Sequence, residues 1–98
     1  MSNTPDVTTP AVGLQSSDRS LAQQNLQAVL ESSLSGKSQS WQNPQSGARG
    51  SATPLKTWKT TEGTYCRSYK ESIRLASGES IDRDGVACRS SDAVWQST

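Results

Sequence analysis

The chain has 98 residues, of which 31% are hydrophobic, with 10 lysines and arginines against 9 acidic residues. This length allows one small domain with little apolar core to spare. The near-neutral charge gives no reason to expect nucleic acid or an anionic membrane as a partner, and no apolar run is long enough to span a membrane.

The N-terminal part of the chain divides into a predicted tail and a predicted helix. Residues 1–16 are rich in Thr, Ser and Pro without periodicity, which predicts a disordered tail, and residues 17–98 are expected to form one domain. Ser17 or Asp18 is a candidate cap, and the segment from Ser20 to Gln23 fits a capping box. The helix is predicted from about Asp18 to Leu34. Its apolar stripe is expected to dock on the domain's own sheet and consists of Ala22, Leu26, Val29, Leu30 and Leu34.

Several short strands are predicted after the helix, separated by turn residues rich in Gly, Pro, Asn and Ser. Pro54 marks an edge or a bend between two of them. The result is an α+β fold, an N-terminal helix packed on a five- or six-stranded antiparallel meander. The strands before the cysteines are expected at Ser38–Gln42, Arg49–Thr53 and Leu55–Thr60, and the last strand at Ala93–Ser97.

The clearest strand pattern is a hairpin that contains both cysteines. Side chains alternate from Tyr65 to Leu75, and a three-residue loop centred on Ser77 leads into the return strand. Counting outward from this loop places Cys66 opposite Cys88, at a pair where the Cα atoms approach closely enough for a disulfide. A bulge at Asp84-Gly85 would shift that register by one residue. The spacing therefore predicts a disulfide between Cys66 and Cys88, with two separate buried thiols as the alternative.

The residue types present make an enzyme improbable. There is no histidine, which removes the usual nucleophilic triads and the commonest metal ligand. Two cysteines do not form a zinc site on their own, and the acidic residues Glu79, Asp82 and Asp84 lack the spacing of a calcium loop. We therefore predict no catalytic residue, no cofactor and no metal.

Aromatic and cationic residues remain as the candidate interaction patch. Arg67 and Arg89 each follow a cysteine, and the predicted register places them on one sheet face together with Tyr65 and Tyr69. The arginines either stack on the tyrosines or pair with Glu71, or they form a small anion-binding or partner-binding patch. Stacking on the tyrosines or pairing with Glu71 is favoured over a binding patch.

Several short motifs in order resemble a known family. They are Trp41-Gln42-Asn43-Pro44-Gln45-Ser46-Gly47, Thr53-Pro54, Cys66-Arg67-Ser68-Tyr69, Gly85-Val86-Ala87-Cys88-Arg89, Asp92 and Trp95. Together, from about Leu26 to Gln96, they resemble the C-terminal domain of the rickettsial seventeen-kilodalton surface antigens. The resemblance implies a bacterial outer-membrane surface antigen, often a lipoprotein with a glycine zipper ahead of this domain. The chain contains no lipobox cysteine, signal segment or glycine zipper, so any membrane anchor is expected in an upstream segment.

These observations predict a non-enzymatic, surface antigen-like domain of the bacterial cell envelope with a structural or interaction role. Its location would be the periplasm or the outer membrane, and its partner an unknown envelope component or another protein. The alternative is a small soluble binding module or inhibitor that uses the aromatic and arginine patch on the sheet.

Overall fold

The computed structural model describes residues 13–98, which form one helix and five strands. The strands lie in the order β1-β2-β3-β4-β5, and each is antiparallel to its neighbours. The predicted α+β meander is therefore confirmed. The elements are α1 (Ser16–Ser32), β1 (Gln39–Asn43), β2 (Ala48–Lys59), β3 (Tyr65–Arg74), β4 (Ser80–Arg89) and β5 (Trp95–Ser97).

The second strand is longer than predicted. The two strands expected at Arg49–Thr53 and Leu55–Thr60 are the halves of β2, whose register with β3 shifts between Pro54 and Thr57. Pro54 has no amide hydrogen to give to a ladder, which favours a bulge at this point. Its carbonyl accepts a hydrogen bond from the Gly36 amide at 2.7 Å. Proline thus bends the strand without ending it.

The cysteine hairpin has the predicted register. The Leu75 amide donates to the Glu79 carbonyl at 2.8 Å, which closes the three-residue loop. From there the pairing of β3 with β4 runs without a shift to Cys66 opposite Cys88. The bulge considered at Asp84-Gly85 does not occur within these two strands.

One face of the sheet is covered by α1. The buried helix residues Ala22, Leu26, Val29 and Leu30 confirm that the apolar stripe docks on the domain's own sheet. Leu34 is an error in that prediction, because the helix ends at Ser32 and the Leu34 side chain is 73% exposed. The sheet meets the helix with the small side chains of Ala48, Ala52 and Ala87 and with the larger Tyr69 and Ile73.

The helix begins earlier than predicted. It starts at Ser16, and the Gln15 amide donates to the Asp18 carboxylate at 3.0 Å, so Asp18 rather than Ser20 belongs to the capping arrangement. Leu14 is buried in the core cluster that contains Trp41 and Leu75. The first twelve residues of the predicted tail lie outside the described residues, and the division into tail and domain stays a prediction for them.

Two glycines on the helix-covered face lie beneath aromatic rings of the neighbouring strand. Trp41 is opposite Gly50, and Tyr69 is opposite Gly85. A Cβ atom at Gly50 would lie 2.6 Å from Trp41 Nε1, and one at Gly85 would lie 2.5 Å from Tyr69 Cζ. Glycine in a strand interior often marks such a close approach. These pairs allow large rings to lie flat under the helix.

Gly85→Ala is expected to lower the free energy of unfolding by roughly 1–3 kcal/mol, because the added methyl group would displace the buried Tyr69 ring. Urea denaturation of the single variant, of Tyr69→Leu and of the double variant would measure this. The cost of Gly85→Ala should fall in the Tyr69→Leu background. An equal cost in both backgrounds would show that the ring is not responsible.

Candidate functional site

A groove of about 480 Å³ lies between the C-terminal end of α1 and the adjoining ends of strands β2, β3, β4 and β5. We call it the helix-end groove. The helix ends at Ser32, and Ser33 has an extended backbone conformation. Its lining residues are Leu30, Glu31, Ser32, Ser33, Leu34, Thr57, Tyr65, Arg67, Arg89 and Trp95.

Arg67 lies at the base of the helix-end groove and is only 7% exposed. Its Nη1 donates to the Leu30 carbonyl at 2.9 Å and to the Val29 carbonyl at 3.3 Å, and its Nε donates to Thr57 Oγ1 at 2.7 Å. Helix C-terminal carbonyls lack partners within the helix and carry partial negative charge. Burial lowers the pKa of the Arg67 guanidinium. Arg67 therefore caps α1 from inside the domain.

Glu31 joins the helix to the last two strands on the other side of the groove. Its Oε1 accepts from Arg89 Nε and from Trp95 Nε1, each at 2.9 Å, and its Oε2 accepts from Arg89 Nη2 at 3.1 Å. The hydrogen bonds from Arg89, and then that from Trp95, lower the pKa of Glu31. The same carboxylate raises the pKa of Arg89. This side of the groove therefore consists of a bidentate ion pair between Glu31 and Arg89, and Glu31 is also bonded to the buried Trp95 indole.

Apolar surface is exposed at the rim of the helix-end groove. Leu34 is 73% exposed and Tyr65 is 49% exposed. The Lys59 ammonium lies 5.2 Å from the centre of the Tyr65 ring, within cation–π range. The groove therefore combines apolar rims with charged groups that are already paired.

The four residues of the predicted interaction patch do not form one exposed surface. Tyr65, Arg67 and Arg89 line the helix-end groove, but Arg67 is buried under the helix end. Tyr69 is fully buried elsewhere in the core, where its hydroxyl accepts from Arg83 Nη2 at 2.9 Å. The face that carries these residues is the one that α1 covers. Partner binding by the accessible members, Tyr65 and Arg89, stays a prediction.

Glu31 and Trp95 were not among the predicted site residues. Trp95 is buried, and its amide and carbonyl are both bonded to the Gln27 side chain, at 2.9 and 2.6 Å. The only signal for Glu31 in the sequence is its place beside the apolar stripe, next to Leu30. That position fits any solvent-facing glutamate equally well.

The predicted disulfide is present. Cys66 Sγ and Cys88 Sγ are 2.05 Å apart, with the Cα atoms 4.0 Å apart, and the described residues contain no other cysteine. The bond joins β3 to β4 on the sheet face opposite α1, at the end of the hairpin away from its loop. It holds together the strands that carry Arg67 and Arg89.

Reduction of the disulfide is expected to lower the free energy of unfolding by roughly 2–4 kcal/mol, because the unfolded chain gains the freedom of an open loop. Urea denaturation with and without reductant would measure the difference. Thiol titration of the denatured, unreduced protein should detect no thiol. Two titratable thiols in protein purified without reductant would contradict the bond.

A second polar cluster lies at the opposite end of the helix and explains the Asn-Pro-Gln-Ser-Gly turn. Asn43, the last residue of β1, and Ser46, in the turn that follows, each donate to Asp18 Oδ1 at 2.6 Å, through Nδ2 and Oγ. Asp18 is almost completely buried. Burial raises the pKa of its carboxyl, but the hydrogen bonds from Ser46, the Gln15 amide and Asn43 together lower it below the ordinary value of 3.8. The turn therefore anchors the start of α1.

Acid is expected to destabilise the protein partly through Asp18. Because the folded-state pKa is lower than that of the unfolded chain, the stabilisation is fully present above 3.8 and is lost as the pH falls through the folded-state pKa. Urea denaturation at about pH 7 and about pH 2.5 should show a smaller acid-induced loss in Asp18→Asn than in wild type. Asp92→Asn, at an exposed turn position, should retain the wild-type loss. An equal loss in Asp18→Asn would contradict the assignment.

The charged groups that line the helix-end groove are committed to partners within the domain. Across residues 13–98, the His, Cys, Asp and Glu side chains form no group of three that could hold a metal ion. The same part of the chain contains no helix with the length and apolar character needed to cross a membrane. The charged groups of the groove are engaged in hydrogen bonds, so its chemistry is that of shape, apolar contact and a paired charge.

Comparison with known proteins decides the family. The family model described as 17 kDa outer membrane surface antigen matches residues 28–96, which is more than half of the chain. The chain belongs to this family. The matched segment of this surface-antigen domain contains all of the residues that line the helix-end groove.

Rickettsial proteins are among the relatives of this surface-antigen domain. It is 39% identical over 84 residues to a 17 kDa surface antigen of Rickettsia bellii, covering 86% of this chain and 52% of the relative. The 17 kDa surface antigen of Rickettsia conorii is 38% identical with the same coverage, and that of Rickettsia prowazekii is 39% identical over 79 residues, or 81% of this chain and 49% of the relative. The chain thus spans about half the length of the relatives it matches. No solved structure matches it.

Proposed function

We propose that this surface-antigen domain is a non-enzymatic component of the bacterial cell envelope that holds another envelope component in the helix-end groove. The family description and the names of the rickettsial relatives support a location at the outer membrane or in the periplasm. The Cys66–Cys88 disulfide supports the same compartment, because such bonds persist in oxidising environments and are rare in the cytosol.

The single observation that carries the proposal is the composition of the groove. Its rim exposes Leu34 and Tyr65, and its walls contain Trp95 and Arg89. Aromatic residues and arginine are enriched at the centres of protein interfaces. An exposed leucine and tyrosine beside a paired arginine provide apolar contact together with a fixed polar group.

A binding role is supported further by how the charges of the groove are used. Glu31 already accepts three hydrogen bonds from Arg89 and Trp95, and Arg67 donates to helix carbonyls. A general acid or base needs a proton that it can exchange with a substrate. These groups instead keep the groove in shape, so the proposal includes no chemical step.

Site-specific photo-crosslinking in cells of the bacterium that encodes the chain would test the proposal. A photoreactive amino acid at Leu34 should yield one discrete adduct with an envelope component, because this side chain lies at the rim of the groove. The same amino acid at Ser77, an exposed position in the β3–β4 loop at the other end of the sheet, should not yield it.

The adduct should also disappear when Tyr65→Asp is introduced, since this change places a carboxylate in the apolar rim. Recovery of the chain from the cytosolic fraction, or the same adducts from both positions, would overturn the proposal.

A further inference from the structure

The sheet face opposite α1, which we call the open face, carries two arginines directly opposite each other. Arg49 of β2 and Arg74 of β3 are register partners, and both side chains are exposed. Like charges in directly opposite positions of an antiparallel pair destabilise a sheet. Within residues 13–98, neither guanidinium takes part in an ion pair or a hydrogen bond with the protein. The charge of this pair is therefore uncompensated by the described part of the chain.

A row of hydroxyl groups lies beside the arginine pair. Ser40, Ser51 and Ser72 are successive register partners on β1, β2 and β3. Their hydroxyls have no hydrogen-bond partner in the part of the chain that the structure describes. The three serines and the two arginines line a cleft of about 250 Å³, which we call the arginine–serine cleft.

The nearest acidic residue in the register does not neutralise the cleft. Asp82 of β4 lies opposite Ser72, one row away from Arg74, but it does not line the cleft. No ion pair joins Asp82 to either arginine among the described residues. The cleft therefore presents two cations and three hydroxyl donors, although the net charge of the whole chain is only +1.

We propose that the arginine–serine cleft binds a phosphate group. A guanidinium offers five N–H donors in a planar fork, and two such forks with three hydroxyls exceed what a single carboxylate can accept. A phosphate monoester carries a charge between about −1.5 and −2 at neutral pH and three strong acceptor oxygens, which matches two uncompensated positive charges. The site is separate from the helix-end groove, because it lies on the other face of the sheet.

Titration of the isotopically labelled protein with inorganic phosphate, at constant ionic strength, would test this site. The amides of Ser40, Ser51 and Ser72 should shift saturably, and Arg49→Gln with Arg74→Gln should weaken binding by about tenfold or more. The matched control is Lys37→Gln with Lys56→Gln, which removes the same charge at exposed positions outside the cleft. The control variant should bind as wild type does.

Urea denaturation of the same arginine variant shows whether it still folds. Relief of the like-charge pair should leave its unfolding midpoint in urea at or above that of wild type. The absence of saturable shifts in wild type, or equal weakening in the lysine control, would overturn the proposal.

Sedimentation with vesicles identifies the source of the phosphate group. Phosphatidylcholine vesicles with phosphatidic acid, but not without it, should retain wild type and lose the arginine variant if the ligand is a lipid headgroup. Binding of inorganic phosphate without retention by either vesicle assigns the site to a soluble phosphate compound. Failure of both probes overturns the site without bearing on crosslinking at Leu34.

Discussion

Arg67→Ala is expected to lower the free energy of unfolding by about 2–4 kcal/mol, because the buried Leu30 carbonyl would lose its charged donor and the Val29 carbonyl would keep only the bond from the Ser33 amide. Urea denaturation followed by circular dichroism measures the change. Amide exchange should also accelerate in the last turn of α1, where the cap is lost, more than at its start.

Two further variants test whether the loss of stability comes from the capping hydrogen bonds of Arg67. Arg67→Met keeps much of the buried stem but removes every donor, so it should retain most of the loss. Arg89→Ala breaks only the exposed ion pair with Glu31 and should destabilise far less. Equal losses from Arg67→Ala and Arg89→Ala would contradict the capping role.

Leu30→Ala is expected to lower the free energy of unfolding by about 2–5 kcal/mol, as for other fully buried leucines. Leu30 is 1% exposed and packs in the cluster that contains Tyr69 and Trp95. Its removal would leave a cavity between the helix and the sheet. Equilibrium denaturation in urea would give the difference directly.

Leu34→Ala is the matched control for this prediction. The same substitution four residues later removes a side chain that lies outside the helix and is mostly exposed. It should change stability by less than about 0.5 kcal/mol. A large loss at Leu34 or a neutral result at Leu30 would show that the helix docks differently.

The cysteine hairpin could be predicted in detail because local rules determine it. Side-chain alternation has a period of two, and a three-residue loop leaves one register for the strands that follow. Leu75 opposite Glu79 then places Cys66 opposite Cys88, as observed. The docked face of the helix could be predicted equally well, since its apolar stripe repeats with the period of a helix.

The burial of Arg67 and Tyr69 within the predicted interaction patch could not be derived from the strand pattern alone. Alternation assigns Arg67 and Tyr69 to one face of β3, but it does not identify the face that the helix covers. Ile73 and Leu75 on the same face were a signal that this side is buried. The partners that allow Arg67 to be buried are carbonyls about 37 residues earlier in the chain, and no pattern within the strand reveals them.

The number of strands was uncertain for a similar reason. Proline in a strand marks an edge or a bend, and the sequence pattern alone divides the strands Arg49–Thr53 and Leu55–Thr60 at Pro54. In the folded protein, the amide of Gly36 reaches the Pro54 carbonyl, and the strand continues beyond the bulge. Only the tertiary contact distinguishes a bend from an end.

The position of the disulfide also determines how the domain would respond to mechanical tension. The bond closes a loop between residues 22 positions apart, and this loop contains most of β3 and β4. A force applied at the two chain ends would pass through the sulfur atoms and leave the loop unloaded. About 70 Å of contour length is thereby withheld from stretching. A pulled domain would lengthen through α1, β1, β2 and β5 while the hairpin that bears Arg67 and Arg74 stays closed.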